Sequence, residues 1–285
     1  MQRRNIVTVT VGVALCAFGL WAYARSYEQL GASVFQFFPH AQELIHEHQM
    51  QQQSPTEVIE QGSVKVTIFV YHSVRPHEPE PKSIDEFDIT PELFERQLVY
   101  LKDHGFATIS FDDLVGFFTR HKTLPPKSVI LSFDDGWENQ YTYAFPLLQT
   151  YHDTATFFIF TNALDYRHFL TWQEVQEMRQ KGMEIGSHTK SHPFLNKISE
   201  HALRSEIIDS KRIIEKHLGA PITAFASPFG YFDDTVVSLI KEAGYTSGRT
   251  LQRGVYHTNN NLLQLKSVLV GDNFNAFKNV LGEDK

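Results

Sequence analysis

The stretch Val129-Ile130-Leu131-Ser132-Phe133-Asp134-Asp135-Gly136-Trp137 joins an apolar run to two adjacent carboxylates and a glycine. The run has the composition of a buried strand, and the carboxylates follow where that strand would end. Adjacent side chains at a strand end point in different directions, so Asp134 and Asp135 could divide two tasks, holding a metal and accepting a proton. Asp-Gly is also a strong turn signal, and this stretch alone is equally consistent with an ordinary β-turn.

A pair of histidines follows a second strand-like run. The run Met183–Ser187 ends directly before His188, and His192 lies four residues further along. With one aspartate, two such histidines form a ligand set that leaves metal positions open for water and substrate. A lone His-x-x-x-His pair is more often a surface feature. Its combination with Asp-Asp-Gly at another strand end indicates a metal site.

These motifs resemble those of the NodB-homology polysaccharide deacetylases, carbohydrate esterase family 4. The family's first motif, Thr-Phe-Asp-Asp-Gly, is similar to Ser132–Gly136, and its second motif is similar to His188–His192. The resemblance covers about residues 64 to 270. It looks closest to the branch that deacetylates poly-β-1,6-N-acetylglucosamine, because of the sequences Phe69–His72 and Phe87–Pro91.

The resemblance implies a role for each motif residue. It assigns Asp135, His188 and His192 to one divalent metal ion and Asp134 to the catalytic base, although chemistry alone would allow the two aspartates to exchange roles. Zinc is the first choice for the metal, and iron, cobalt and nickel also accept this ligand set. The backbone N–H of Phe229, in a stretch similar to the family's third motif, would stabilise the oxyanion, unless this stretch is an ordinary loop.

Three departures from the family pattern concern the groups around the base and the leaving amine. The arginine of the third motif, which would steady the base, is replaced by Ala226, as in the poly-N-acetylglucosamine branch. The Asp-Trp motif is absent, and Ser247–Arg253 offers only Arg249 and Arg253 in its place. The late Leu-x-His motif, which would supply the acid, is missing.

Other side chains are candidates for the acid and for substrate contact. His72 follows a strand-like run and is a candidate acid or substrate contact, with a histidine satisfied by local hydrogen bonds as the alternative. His257 is the one late histidine, and its polar surroundings are typical of a loop. Trp137 and Tyr231 flank the motifs and would stack on sugar rings, unless they only pack against the protein.

The alternation of strand-like and helix-like segments predicts the fold. Capping signals such as Thr90-Pro91 and Thr171–Glu174, with glycine stops such as Gly105, separate about seven β/α units after Val64. This pattern predicts an α/β fold with an irregular (β/α)7-type barrel, and an open doubly wound sheet is the competing arrangement. In barrels the chemistry gathers at the carboxyl ends of strands, where the candidate residues fall.

The N-terminus predicts export. Arg3 and Arg4 precede an apolar run from Ile6 to about Ala24, which suits a cleaved signal peptide or an uncleaved anchor in contact with the membrane. We expect a signal or anchor over residues 1–25, a neck over residues 26–62 and a deacetylase domain over residues 63–285. The protein would then act in the periplasm or at the cell surface.

Composition and motifs together define the expected function. The net charge of −7 and the lack of a basic cluster argue against nucleic acid, and a single cysteine, Cys16, excludes an intrachain disulfide framework. We expect a hydrolase that removes N-acetyl groups from a polymer of N-acetylglucosamine. A β-1,6-linked biofilm exopolysaccharide is the first choice of substrate, and proteins that export or modify it are candidate partners. Peptidoglycan or a chitin oligomer is the second choice, and a glycan-binding module with little turnover is the alternative class.

Overall fold

A computed structural model describes residues 60–76 and 87–282. Within these residues the strands are, in chain order, β1 (Val64–Lys65), β2 (Thr67–Tyr71), β3 (Ser73–Val74), β4 (Asp88–Ile89), β5 (Ala107–Thr108), β6 (Ser128–Phe133), β7 (Thr156–Ile159), β8 (Glu184–Ser187), β9 (Ala224–Ala226), β10 (Ser247–Arg253), β11 (Tyr256–His257) and β12 (Leu265–Leu269). The α-helices are α1 (Pro91–Asp103), α2 (Phe111–Arg120), α3 (Phe145–Tyr151), α4 (Trp172–Gln180), α5 (Glu200–Arg204), α6 (Ser210–Leu218), α7 (Asp234–Glu242) and α8 (Phe274–Leu281).

Seven of these strands close into a parallel barrel. The ring runs β2, β6, β7, β8, β9, β10 and β12, and β12 pairs again with β2. Thr67–Tyr71 of β2 pairs with Val129–Phe133 of β6 in continuous parallel register. The barrel prediction is therefore confirmed, and the open sheet is excluded. The short strand β5 adds to the start of β6, while β1–β11 and β3–β4 form two small separate pairs.

The barrel is irregular in its connections. Two helices, α1 and α2, lie between β2 and β6, whereas a 3₁₀ segment, Asn259–Gln264, takes the place of an α-helix between β10 and β12. Strand order around the ring follows chain order. Because all neighbours are parallel, the carboxyl ends of the strands meet at one end of the barrel.

The strands are buried on both faces because the barrel interior and the helices cover them. Every residue of β6 is buried, which explains its near-continuous apolar sequence. Ile130 contributes to a cluster shared with α2, while Leu131 and Phe133 contribute to the larger cluster that includes the other helices. The first turn of α2 binds Glu184 at the start of β8, so this helix lies at the amino end of the barrel and leaves the carboxyl end free for a site.

Two helices contain a π-helical turn that the sequence pattern does not predict. Gln140–Ala144 leads directly into α3, and Ser205–Asp209 joins α5 to α6. The helical run from Glu200 to Leu218 is therefore continuous, and it ends at Gly219, whose φ is 63°. A π turn inserts one residue, and such insertions often occur at functional sites.

Two strands have bounds that the apolar runs of the sequence do not mark. The apolar run from Val64 to Tyr71 is divided at Val66, whose N–H donates to Val255 O. Strand β10 covers Ser247–Arg253, and its buried polar residues hide its strand character in the sequence. The predicted leader and nearly all of the neck lie outside the described residues. In the ranges 60–76 and 87–282, no helix has the length and apolar character needed to span a bilayer.

Candidate active site

The structure brings the predicted metal ligands together at the carboxyl end of the barrel. Asp135 follows β6, His188 follows β8, and His192 lies four residues later. Asp135 Oδ1 is 3.3 Å from His192 Nε2 and 3.7 Å from His188 Nε2. One ligand atom from each of the three side chains lies within 4.8 Å of the others. This spacing suits three ligands of a single ion.

His188 and Asp135 each use one side-chain atom for a hydrogen bond to the protein, which leaves the other atom, His188 Nε2 and Asp135 Oδ1, available for a metal. His188 Nδ1 is 2.8 Å from Ala226 O. A carbonyl only accepts, so Nδ1 carries the proton and Nε2 keeps its lone pair. Asp135 Oδ2 accepts from Trp137 Nε1 at 3.1 Å, while its buried Oδ1 accepts no hydrogen bond from the described residues. A buried carboxylate oxygen without a donor fits a cation.

Burial sets the charge of the ligands. It lowers the pKa of both His188 and His192 to about 4, so both rings are neutral near pH 7, the form that binds metal. Burial also raises the pKa of Asp135, because a carboxylate loses hydration inside the protein. A bound cation would offset that cost. The donor set therefore fits a divalent metal ion.

Asp134 lies beside this cluster and is held by a buried arginine. Arg249 Nη2 donates to Asp134 Oδ1 at 2.6 Å and to Oδ2 at 2.5 Å, and neither side chain has appreciable exposure. Burial alone would raise the pKa of Asp134, but the charge and hydrogen bond of Arg249, together with His188 and His72, outweigh burial and lower the pKa. Asp134 is consequently a carboxylate at neutral pH.

Arg249 replaces the arginine that the family pattern places at residue 226. It lies on β10 in direct register with Ala226 of β9, so its side chain leaves the same face of the barrel from the neighbouring strand. At the departure from the family pattern at Ala226, an arginine one strand away gives Asp134 a charged partner. The sequence contained the signal, since Arg249 is one of two basic residues in Ser247–Arg253, but sequence reasoning did not connect it to Asp134.

His72 lies near Asp134, as His188 does. Its Nε2 is 3.9 Å from Asp134 Oδ2, and its side chain is one-fifth exposed (20%). This distance is too long for a direct hydrogen bond, and one water molecule could bridge the His72 nitrogen and the Asp134 oxygen. His257 is fully buried, with Nε2 at 2.9 Å from Val66 O near the start of the barrel. Of the two candidate acids, the structure brings only His72 to the site.

Gln140 fixes the backbone beneath His72 and Asp134. Its side-chain amide donates to His72 O at 2.7 Å and to Asp134 O at 2.5 Å, which ties the ends of β2 and β6 together. Gln140 opens the π-helical turn before α3. Sequence reasoning missed this residue because its partners are backbone atoms, and one of them, His72 O, lies 68 residues away in the chain.

Four non-glycine residues at the site have left-handed backbone conformations. They are Asp135 (φ 75°), Thr189 (φ 72°), His192 (φ 57°) and Phe229 (φ 57°). Each such conformation costs on the order of 1–3 kcal/mol and persists only where surrounding contacts fix it. Strain of this kind often accumulates at active sites.

Phe229 lies on the rim of the cluster. The residue is 39% exposed, and its ring stacks on Phe194 with centroids 3.8 Å apart and meets His192 edge-on at 4.8 Å. In the surrounding turn, Gly230 N donates to Ser227 O. Donation from the Phe229 N–H to a substrate oxygen stays a prediction.

The two predicted sugar-stacking residues have other contacts in the structure. Trp137 is 6% exposed, stacks on Phe169 and orients Asp135 through its indole N–H. Tyr231 donates its hydroxyl to Asp233 Oδ2 at 3.1 Å. Stacking of either ring on a sugar stays a prediction.

Sequence comparison identifies similar proteins. Residues 121–248 match the family model described as polysaccharide deacetylase. The putative polysaccharide deacetylase YxkH of Bacillus subtilis (strain 168) is 28% identical over 206 residues, which cover 72% of this chain and 71% of the relative. A poly-beta-1,6-N-acetyl-D-glucosamine N-deacetylase of Staphylococcus epidermidis is 26% identical over 236 residues, 75% of this chain and 81% of the relative.

Solved structures of similar fold agree with the sequence matches. The Streptococcus pyogenes deacetylase PplD in complex with acetate superposes with a TM-score of 0.72 at 29% identity, covering 76% of this chain and 98% of that chain. A putative polysaccharide deacetylase from Bacillus anthracis gives a TM-score of 0.68 at 28% identity, covering 77% and 69%. IcaB from Ammonifex degensii, at 23% identity and a TM-score of 0.66, shares the fold over 76% of this chain and 95% of that chain.

Proposed function

This chain carries a polysaccharide deacetylase domain, and from that premise we propose that it hydrolyses the N-acetyl groups of poly-β-1,6-N-acetylglucosamine in a metal-dependent reaction. The observation that carries the proposal is the Arg249-bound carboxylate of Asp134 beside the ligand set of Asp135, His188 and His192. An ionised base beside a metal site with open positions can activate a water molecule for amide hydrolysis.

The proposed metal ligands are Asp135 Oδ1, His188 Nε2 and His192 Nε2. A divalent ion bound there would lower the pKa of a water ligand and polarise the acetyl carbonyl, and zinc is our first choice, ahead of iron, cobalt and nickel. His188 and His192 present neutral nitrogens because burial lowers the pKa of each to about 4. Trp137 keeps Asp135 oriented so that its second oxygen faces the histidines.

The remaining steps use groups of the chain itself. Asp134 accepts a proton from the attacking water while Arg249 keeps the carboxylate in place. The water oxygen adds to the acetyl carbon, and the Phe229 N–H donates to the developing oxyanion. The carbon–nitrogen bond then breaks, acetate forms, and the leaving amine takes a proton from His72, which we propose as the acid.

The substrate assignment has support from the relatives and from the sequence around His72. One relative is named as a poly-β-1,6-N-acetylglucosamine deacetylase, and this chain is 26% identical to it. Peptidoglycan or a chitin oligomer is the second choice. The buried Asp134–Arg249 pair favours an enzyme over a glycan-binding module, because binding a sugar does not require a base held ionised at a desolvation cost.

The predicted leader and neck are part of the proposal. We propose that residues 1–25 direct the domain of residues 63–285 out of the cytoplasm, to the periplasm or the cell surface, where an exopolysaccharide would be available. An uncleaved leader would keep the enzyme at the membrane, next to proteins that export or modify the polymer.

The proposal is tested by acetate release from defined glycans. The purified protein is incubated with β-1,6-linked N-acetylglucosamine oligomers, chitin oligomers and peptidoglycan fragments, with and without added zinc or cobalt. We expect metal-dependent acetate from the β-1,6-linked oligomers above the other two. Acetate from chitin or peptidoglycan alone would move the proposal to its second substrate, and metal and oligomer binding without acetate would support the binding module instead.

A further inference from the structure

The loop between the two metal-site histidines is bound by one glutamate. Glu206 Oε2 accepts hydrogen bonds from the backbone N–H groups of Lys190 and Ser191, at 2.8 and 2.9 Å. Its other oxygen, Oε1, accepts from Ser191 Oγ at 2.6 Å. Three donors from two consecutive residues therefore converge on a single carboxylate. Hydrogen bonds to an ionised acceptor are stronger than neutral ones.

The loop needs such a contact because its backbone is strained at both sides of the bound segment. Thr189 has φ 72° and His192 has φ 57°, conformations that non-glycine residues rarely adopt. The loop has no helix or strand of its own to hold it. Ser191 lies directly before His192 in the chain. The hydrogen bonds from Ser191 to Glu206 therefore fix the backbone from which the His192 side chain extends.

The two histidines are fixed in different ways. The His188 ring donates to Ala226 O, a contact with the neighbouring strand of the barrel. The His192 ring packs between the aromatic rings of Phe160 and Phe229 and also contacts its own backbone. The position of His192 Nε2, 3.3 Å from Asp135 Oδ1, consequently depends on the backbone of the loop.

Glu206 reaches the loop from a π-helical turn. It lies in Ser205–Asp209, between α5 and α6. A second contact comes from the same turn, where Ser205 Oγ accepts from Lys190 Nζ at 2.8 Å. Because a π turn inserts one residue, it changes which side chains of the helix face a neighbouring segment. Here it directs two adjacent residues toward the metal loop.

We infer that Glu206 is a positioning residue for the metal centre, which holds the loop so that His192 can bind the same ion as Asp135 and His188. The inference rests on the proposed metal-dependent function. Side chains that do not bind the metal but orient its ligands typically contribute 10- to 100-fold to metal affinity. A glutamate that only attached a helix to a loop would affect folding and leave metal affinity unchanged.

The test measures metal binding by the full chain without substrate. Metal-free wild type, Glu206→Ala, Glu206→Gln and the control Glu200→Ala are titrated with cobalt(II) against a competing chelator, and the visible spectrum of each cobalt form is recorded. Glu200 is an exposed glutamate in α5, on the same helical run. We expect Glu206→Ala to weaken cobalt binding by about 10- to 100-fold and to alter the spectrum. Glu206→Gln keeps an oxygen for the two N–H donors and should bind within a few-fold of wild type, as should Glu200→Ala.

The outcomes separate this inference from the function on which it rests. Wild type that binds no cobalt would refute the proposed metal centre itself. Wild type that binds cobalt, with a folded Glu206→Ala of equal affinity and identical spectrum, would overturn the role of Glu206. If Glu206→Ala does not fold, Glu206→Asp decides. It keeps the charge but is one methylene too short to reach the loop, and wild-type affinity in that variant would overturn the inference.

Discussion

Replacement of Arg249 by methionine should damage both stability and turnover. Arg249 is fully buried, and its Nη2 donates to both carboxylate oxygens of Asp134. Methionine has a similar length but no donor, so the variant leaves a buried carboxylate without its charged partner. Breaking a buried ion pair from one side typically costs about 3–5 kcal/mol.

This loss of stability can be measured as a fall in the melting temperature. In a domain of this size, each kcal/mol lowers Tm by about 2–4 °C, so metal-free Arg249→Met should melt about 6–20 °C below the wild type. Turnover should fall by about 100-fold or more, because a general base contributes on that order and burial alone raises the pKa of Asp134. Thermal unfolding by circular dichroism and acetate release from β-1,6-linked oligomers measure the two effects.

Two further variants test the reasoning. The double variant Arg249→Met/Asp134→Asn removes both charges and should recover most of the lost stability but none of the activity. In Ala226→Arg/Arg249→Ala the arginine moves to the register partner on β9, and part of the turnover should return. Wild-type Tm and turnover in Arg249→Met would refute the account of the ion pair.

Three other substitutions test separate contacts of the site and the barrel. Gln140→Ala should lower turnover by about 10- to 100-fold with metal affinity unchanged, since Gln140 holds the His72 and Asp134 carbonyls; equal turnover would contradict its role. Trp137→Phe keeps a ring to stack on Phe169 but loses the N–H to Asp135, so metal affinity measured by chelator competition should fall about tenfold, and no change would disprove the orientation of Asp135. Gly248→Ala would place a Cβ 2.3 Å from Leu263 O and should destabilise the fold by about 1–3 kcal/mol; an unchanged Tm would show that the backbone there can move.

The sequence predicted those parts of the structure that depend on neighbours in the chain. The apolar run that begins at Val129 indicated strand β6, because all six residues of this strand are buried and the acidic motif marks its end. Asp135 and His188 could be located because each lies just after the end of a strand, and His192 could be located by its spacing from His188. Parallel strands bring such positions together at one end of a barrel.

The parts that sequence reasoning missed depend on distant contacts. Arg249 binds a carboxylate 115 residues away, and its strand contains polar residues that face the barrel interior, so its pattern resembles a loop. Gln140 and Glu206 act through backbone atoms of other segments and lie in π turns. One inserted residue changes the direction of a side chain but hardly alters the hydrophobic periodicity of a helix.

The central claim is that Asp134 is the base of a reaction that needs the metal held by Asp135, His188 and His192. The most direct measurement compares wild type and Asp134→Asn, with bound metal and released acetate quantified in the same samples. We predict one metal ion per chain in both proteins, acetate from the wild type alone, and no acetate from the wild type after chelation. Acetate at the wild-type rate from metal-loaded Asp134→Asn, or from metal-free wild type, would contradict the claim.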